Sequence, residues 1–417
     1  MRSVTRALSG AGLGLLREAR SFRLLFLATL ASSIGTWLAF VALVIDVWDR
    51  TEDSNWVSAL LIVEFLPIVL IGLFAGRLID RASRRWILVL SDAARAGVFF
   101  ALPFATSALQ IVMLALAAGL ATSVFRPAVY AGLPNLVSDA ELPQANGLLQ
   151  TADNLTWTIG SLVGGALVAA TSPDVAYVVN AVSFTVSAVL ILRIRGRLEE
   201  AEREPSQGGW KDIVEGLSLA VHSRALVTVL VAWSIVMLAN AGVNVSEVVL
   251  AKKVFEGGDF GYGLLVAATG LGLVIGSFFG ATWIAQRGLA IPYGISIGLM
   301  ALGFGAAAAA PNVWVAALVV IAAGAGNGVA VITNALLVQR GAPDRLRGRA
   351  FTVVMSIGYA VLGLGMVIAG PLTNAIGARA VWGISAALMA VGAVVGYVLV
   401  RGVTAEARSA EALPASD

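Results

Sequence analysis

In Gly72-Leu73-Phe74-Ala75-Gly76-Arg77-Leu78-Ile79-Asp80-Arg81-Ala82-Ser83-Arg84-Arg85, one apolar run ends and four arginines crowd around a single aspartate. A second apolar run then starts at Trp86. The runs on either side, 56–79 and 86–106, are each close to the roughly 20 residues that carry a helix across a bilayer core. Ten more follow the same pattern: 22–48, 109–132, 145–171, 174–194, 225–250, 261–284, 290–310, 312–338, 351–375 and 380–401. The first of the twelve is too long for a cleavable signal peptide, and another span follows it after a short loop.

Composition points the same way. Of the 417 residues, 59% are hydrophobic and only 13% are charged, about half the charge of an ordinary soluble domain. Glycine is abundant at 45 residues, as expected where helices pack closely in lipid. Cysteine is absent and His222 is the only histidine. Thiolate and imidazole metal sites, disulfides and Ser/His or Cys/His nucleophiles are thereby excluded. No G-x-x-x-x-G-K-[ST] loop occurs, so ATP is not the direct energy source. No metal, no cofactor and no enzymatic activity are expected.

The basic residues are sorted by side. With the N-terminus in the cytoplasm, 22 Lys and Arg fall on inner segments and four (Arg50, Lys252, Lys253, Arg379) on outer ones. Arg95 and Arg126 lie inside spans. The positive-inside rule then predicts cytoplasmic termini, and it removes nucleic acid as a reading of the basic pI. The loop before residue 145 is an exception, with Asp139 and Glu141 but no basic residue.

Residues 195–223 are the one sizeable linker, dividing a first bundle (1–194) from a second bundle with a short cytoplasmic tail (224–417). Within the linker, Trp210, Ile213, Val214, Leu217 and Val221 share a helical face, which predicts a short helix lying on the inner leaflet. His222 ends it, either as a solvated loop residue or as a proton relay. Gly72-Leu73-Phe74-Ala75-Gly76 recurs as Gly276-Ser277-Phe278-Phe279-Gly280 at the matching place in the second half. Together these features predict an all-α membrane protein, twelve transmembrane helices in two pseudo-symmetric six-helix bundles.

Gly76-Arg77-Leu78-Ile79-Asp80-Arg81-Ala82-Ser83-Arg84-Arg85 resembles the signature G-x-L-x-D-r-x-G-r-k of the major facilitator superfamily, with Ser83 in place of the second glycine. Gly160-Ser161-Leu162-Val163-Gly164-Gly165 resembles the antiporter motif G-P-x-x-G-G of its exporters, with Ser161 in place of proline. Small residues at that spacing also suit plain helix packing. Phe125-Arg126-Pro127-Ala128, Leu133-Pro134-Asn135-Leu136-Val137, Ala145-Asn146-Gly147-Leu148 and Arg347-Gly348-Arg349-Ala350 are similar to a branch that includes macrolide-efflux proteins and the enterobactin exporter. So is Phe22-Arg23-Leu24-Leu25 through Ser33-Ile34-Gly35, after which many members carry an acid where this chain has Thr36. The resemblance implies a gating role for Gly76, Asp80, Arg81, Arg84 and Arg85, and a cavity lined by the first, fourth, seventh and tenth spans.

Charge inside a bilayer costs about 2.5–3.5 kcal/mol per residue on insertion scales, so each instance needs a reason. Asp92 and Arg95, three apart, can neutralise one another and belong with the gating set. Arg126, with Tyr130 one turn on, is a cavity residue, or it snorkels inward, or it pairs with Asp153. Glu64 has no basic residue in its own span, and an isolated carboxyl in a low dielectric can carry a proton. It is the leading proton-coupling candidate, with Asp46 and Asp153 behind it; a carboxyl held by a hydroxyl or backbone group is the alternative. Asn240, Asn244 and Glu247 form one polar stripe and Asn327 and Asn334 another, while Thr36 ends a third with Thr29 and Ser33. These stripes mark either a wet cavity or interhelical hydrogen bonds.

The expected function is secondary active export of small amphipathic, drug- or macrolide-like molecules by alternating access, in exchange for protons through the carboxyls of its spans. A monomer in a bacterial inner membrane is expected, with both termini cytoplasmic. A dedicated siderophore or lipid exporter is the alternative within the fold. A receptor or sensor, and more remotely a carboxylate-based membrane hydrolase, are the alternatives outside it.

Overall fold

A peptide group in hydrocarbon has no water to bond, so a chain that crosses lipid repeatedly must either coil into helices or close into a barrel. In the computed structural model, which describes residues 10–72, 83–194, 198, 217–343 and 346–411, it coils. Among the described residues a short α1 (Gly10–Glu18) precedes twelve long helices. The first six are α2 (Arg20–Thr51), α3 (Ser54–Gly72), α4 (Arg84–Ala101), α5 (Ala108–Gly132), α6 (Leu142–Ala170) and α7 (Pro173–Leu192). The second six are α8 (Arg224–Val249), α9 (Gly258–Arg287), α10 (Ala290–Ala309), α11 (Val313–Gly341), α12 (Arg347–Ile376) and α13 (Ala378–Glu411). Gly76, Asp80 and Arg81 of the signature loop, and residues 210–216 of the proposed interfacial helix, lie outside the described residues. Residues 217–222 are helical, and exposed His222 contacts the Ser218 carbonyl through Nδ1 at 2.7 Å.

Local chemistry sets the helix ends. Ser107 accepts from the Gln110 N–H before α5, and Asn312 Oδ1 accepts from the Trp314 and Val315 N–H groups before α11. Before α6, the Ser138 hydroxyl and N–H donate to the Glu141 carboxylate at 2.6 and 2.9 Å, and these bonds hold that carboxyl below its ordinary range. The end of α8 widens into a π-helical turn, Leu250–Val254, which carries Lys252 and Lys253.

The helices form two compact units, Met1–Gly208 with Glu247–Gly270, and Gly209–Ser246 with Leu271–Asp417. Residues 247–270, assigned by hydropathy to the second half, thus pack with the first six helices. Glycine explains how. A Cβ on Gly165 of α6 would sit 2.8 Å from the Gly263 Cα of α9, so the two backbones meet directly. In the first unit α2 packs on α6 and α7, α3 on α5, and α4 on α5 and α7. In the second, α10 packs between α11 and α13. There Gly276 of the repeated motif lets α9 approach α11, since its Cβ would lie 2.7 Å from the Ala325 Cα.

Candidate functional site

Most charges in the spans of the first unit are hidden and paired. Asp92 and Arg95 on α4 are almost fully buried and bond at 2.5 Å. The Arg95 guanidinium lies between the Phe125 and Phe184 rings, 4.3 and 4.2 Å from their centroids, and also donates to the Ser32 hydroxyl. This pair sits in the core. Asp46 on α2 is likewise buried; it accepts from Arg50 Nε at 2.6 Å and from the Tyr177 hydroxyl at 2.9 Å. Arg84 and Arg85 staple helix ends: Arg84 donates to the carbonyls of Ala131 and Leu198, and Arg85 to that of Ile194.

One pair differs. Arg126 on α5 forms an ion pair with Asp153 on α6, and its side chain stays 59% exposed while that of Asp153 is 14% exposed. Ser33 on α2 donates to the other Asp153 oxygen at 3.1 Å, so three helices converge on one carboxylate. Pro127 follows Arg126 inside α5 and removes one backbone donor from the ladder beside it. The Tyr130 phenol, also exposed, lies within electrostatic range of both charges. Further along α6, Trp157 stacks on Trp37 of α2, with centroids 5.1 Å apart and planes 12° apart. The antiporter-like glycines make this packing possible. A Cβ on Gly160 would meet the Trp37 Cβ at 2.8 Å, and one on Gly164 would meet the Leu38 Cα at 2.9 Å. Gly165 faces the other way, toward Gly263.

The remaining candidates are dispersed. Glu64 is half-buried on α3, and no partner for its side chain appears among the described residues. Thr36 turns back onto the Ser32 carbonyl at 2.8 Å. Asn240, Asn244 and Asn327 are half-buried, and Asn334 accepts from the Tyr293 hydroxyl at 2.7 Å. Glu247 belongs to the first unit and is buried. Sequence reasoning did not foresee the Tyr177 partner of Asp46, the Tyr293 partner of Asn334 or the Trp37–Trp157 stack. Each joins residues far apart in sequence, and an aromatic in an apolar span looks like any other core residue.

With this geometry in view, known proteins are informative. The chain is 27% identical over 381 residues to the multidrug efflux pump Tap of Mycobacterium tuberculosis, covering 86% of this chain and 88% of that protein. It is 26% identical over 375 residues to the uncharacterized MFS-type transporter YfiS of Bacillus subtilis, covering 87% and 89%. Among solved structures, a bacterial homologue of the human lysosomal transporter Spinster superposes with a TM-score of 0.76 at 13% identity, covering 92% of this chain and 98% of that one. The nucleoside transporter NupG superposes with a TM-score of 0.70 at 15% identity, covering 91% and 98%. These likenesses place the fold among major facilitator transporters. The family profile described as transmembrane secretion effector matches residues 12–416, and the chain belongs to that family of multi-pass membrane transporters.

Proposed function

We propose that the chain exports amphipathic small molecules from a bacterial cell by alternating access, driven by proton entry. The observation that carries this reading is the Arg126–Asp153–Ser33 cluster, a charge pair with the Arg126 side chain exposed amid apolar helices. Protonating Asp153 removes the charge that holds Arg126, and losing the proton restores it. A two-state element of this kind lets a proton bias a conformational equilibrium. The exposed Tyr130 ring and the Trp37–Trp157 stack nearby offer flat apolar faces of the kind amphipathic ligands occupy. The similarity to a multidrug efflux pump favours the export direction.

In this reading Asp153 is the principal proton-linked carboxyl. Asp46 already has two partners, and Glu64 is the comparison. In the second unit Asn240, Asn244, Asn327 and Asn334 are the polar groups offered to cargo. Asp80 acts in gating, both termini face the cytoplasm of a bacterial plasma membrane, and the monomer is the working unit. Accumulation of a dye, antibiotic and siderophore panel, in cells with and without the gene, tests the assignment. Lower accumulation of amphipathic panel members, abolished by Asp153→Asn, is expected; identical profiles overturn export, and a siderophore-only effect favours the dedicated exporter.

A further inference from the structure

One end of the second unit gathers charge that the proposed export leaves unused. Where α11 runs out and α12 begins, a cavity of about 530 Å³ is lined by Leu336, Gln339, Arg340, Pro343 and Arg347. Arg340 is exposed and has no partner among the described residues. Arg347 Nε donates to the Gln339 carbonyl at 3.1 Å, which ties the start of α12 to the end of α11. Gly341, also in the wall, seats the same end against the start of α8. A Cβ there would lie 2.9 Å from the Ser223 hydroxyl and 3.0 Å from the Ala225 Cβ. Residues 339–349 carry four arginines against the single Asp344. The matching loop of the first half, 133–141, carries two acids and no basic residue, and its Glu141 is engaged by Ser138.

An apolar path leads away from the cavity. Phe351 and Met355 follow Arg347 one and two turns along α12, and they are 36% and 42% exposed. Basic and apolar groups thus succeed one another along one side of the helix, as headgroup and acyl chain do in a leaflet. We propose that this cavity binds the phosphate group of an anionic phospholipid, whose acyl chain lies along Phe351 and Met355. A phosphodiester carries one negative charge and offers paired oxygens to guanidinium N–H groups, a match that arginine makes better than lysine. The orientation proposed above puts the cavity at the cytoplasmic leaflet, where acidic headgroups meet basic side chains. The exposed apolar side chains are what select a lipid over free phosphate. The site shares no residue with the Arg126–Asp153 cluster and stands whether or not the chain exports.

Native mass spectrometry of the full-length protein in detergent, titrated with phosphatidylglycerol, phosphatidylcholine or inorganic phosphate, reads the site directly. Phosphatidylglycerol should bind at least about fivefold more tightly than phosphatidylcholine. Arg340→Gln should weaken phosphatidylglycerol by about fivefold, and Arg340→Gln combined with Arg347→Gln by at least about tenfold. Arg340→Gln changes an exposed side chain, so it carries the test if the double variant does not fold. Arg287→Gln, at an exposed arginine on the end of α9, should bind as the parent does. Equal affinity for the two lipids overturns the proposal. So does a loss in Arg287→Gln as large as that in Arg340→Gln, or displacement of the lipid by equimolar inorganic phosphate. Failure of dye efflux with this lipid binding intact would count against the export reading alone.

Discussion

Arg126 on α5 and Asp153 on α6, 27 residues apart in sequence, are joined as an ion pair with most of the Arg126 side chain left uncovered by the protein. The Asp92–Arg95 and Asp46–Arg50 pairs of the first unit are buried or held by further partners. Arg95 is sealed between two rings, and Asp46 is held by a guanidinium and a phenol. The exposed pair is therefore the one whose partner can change without dismantling the core.

Asp153→Asn should leave a folded protein while lowering gradient-driven flux by about tenfold or more, equivalent to about 1.4 kcal/mol. Arg126→Ala should act in the same direction. The double variant should lose less than the sum of the two, because the residues form one interacting unit. Initial transport rates at matched protein levels check this; additive losses would separate the two roles.

Arg95→Ala should mainly unfold the protein. It would leave Asp92 buried without its counter-charge, a change that costs about 3–5 kcal/mol when a buried pair is broken. Arg95→Lys should also destabilise, since an ammonium cannot reproduce a planar group between Phe125 and Phe184. Thermal unfolding in detergent reads both, and a parent-like midpoint for Arg95→Ala would contradict the packing described here.

Gly165→Ala places a methyl group against the α9 backbone, 2.8 Å from the Gly263 Cα. Overpacking of this kind costs about 1–3 kcal/mol, here directed at the contact between α6 and residues 258–270. Turnover should fall, whereas Gly363→Ala, which meets no atom within 4 Å, should behave as the parent. Equal turnover in the two variants would mean that the contact has no part in the cycle.

Tyr293→Phe removes the 2.7 Å bond that Asn334 Oδ1 accepts, and the Nδ2 of the same amide already lacks a partner among the described residues. The buried amide is then unsatisfied, and stability should fall by about 1–3 kcal/mol. Thermal unfolding measured beside Asn334→Leu separates a lost bond from an orphaned group: the leucine variant should lose less.

The spans were legible because a bilayer imposes one length and one polarity on every crossing, and among the described residues ten helices are long and apolar enough to cross. The helices still overrun the apolar stretches, since α13 continues to Glu411 through polar residues that hydropathy reads as tail. Within the site, the Arg126–Asp153 pair was one of three alternatives that composition and spacing left open. The partners of Asp46 and Asn334 were invisible, because a tyrosine or an asparagine in a span carries no mark of which neighbour it will meet. The placement of Glu247 was hidden for another reason. Its stripe with Asn240 and Asn244 is real on the helix, yet the segment from 247 onward packs with the first unit through glycines whose role appears only when Gly165 meets Gly263.

The central claim is that proton movement through Asp153 drives export. Everted membrane vesicles provide the direct measurement: uptake of a fluorescent amphipathic dye is followed while an imposed proton gradient is dissipated by an uncoupler at constant ATP. Uptake should collapse with the gradient, and Asp153→Asn vesicles should lack the gradient-dependent component while still exchanging preloaded dye. Uptake that survives the uncoupler, or Asp153→Asn vesicles that accumulate dye as the parent does, would contradict it.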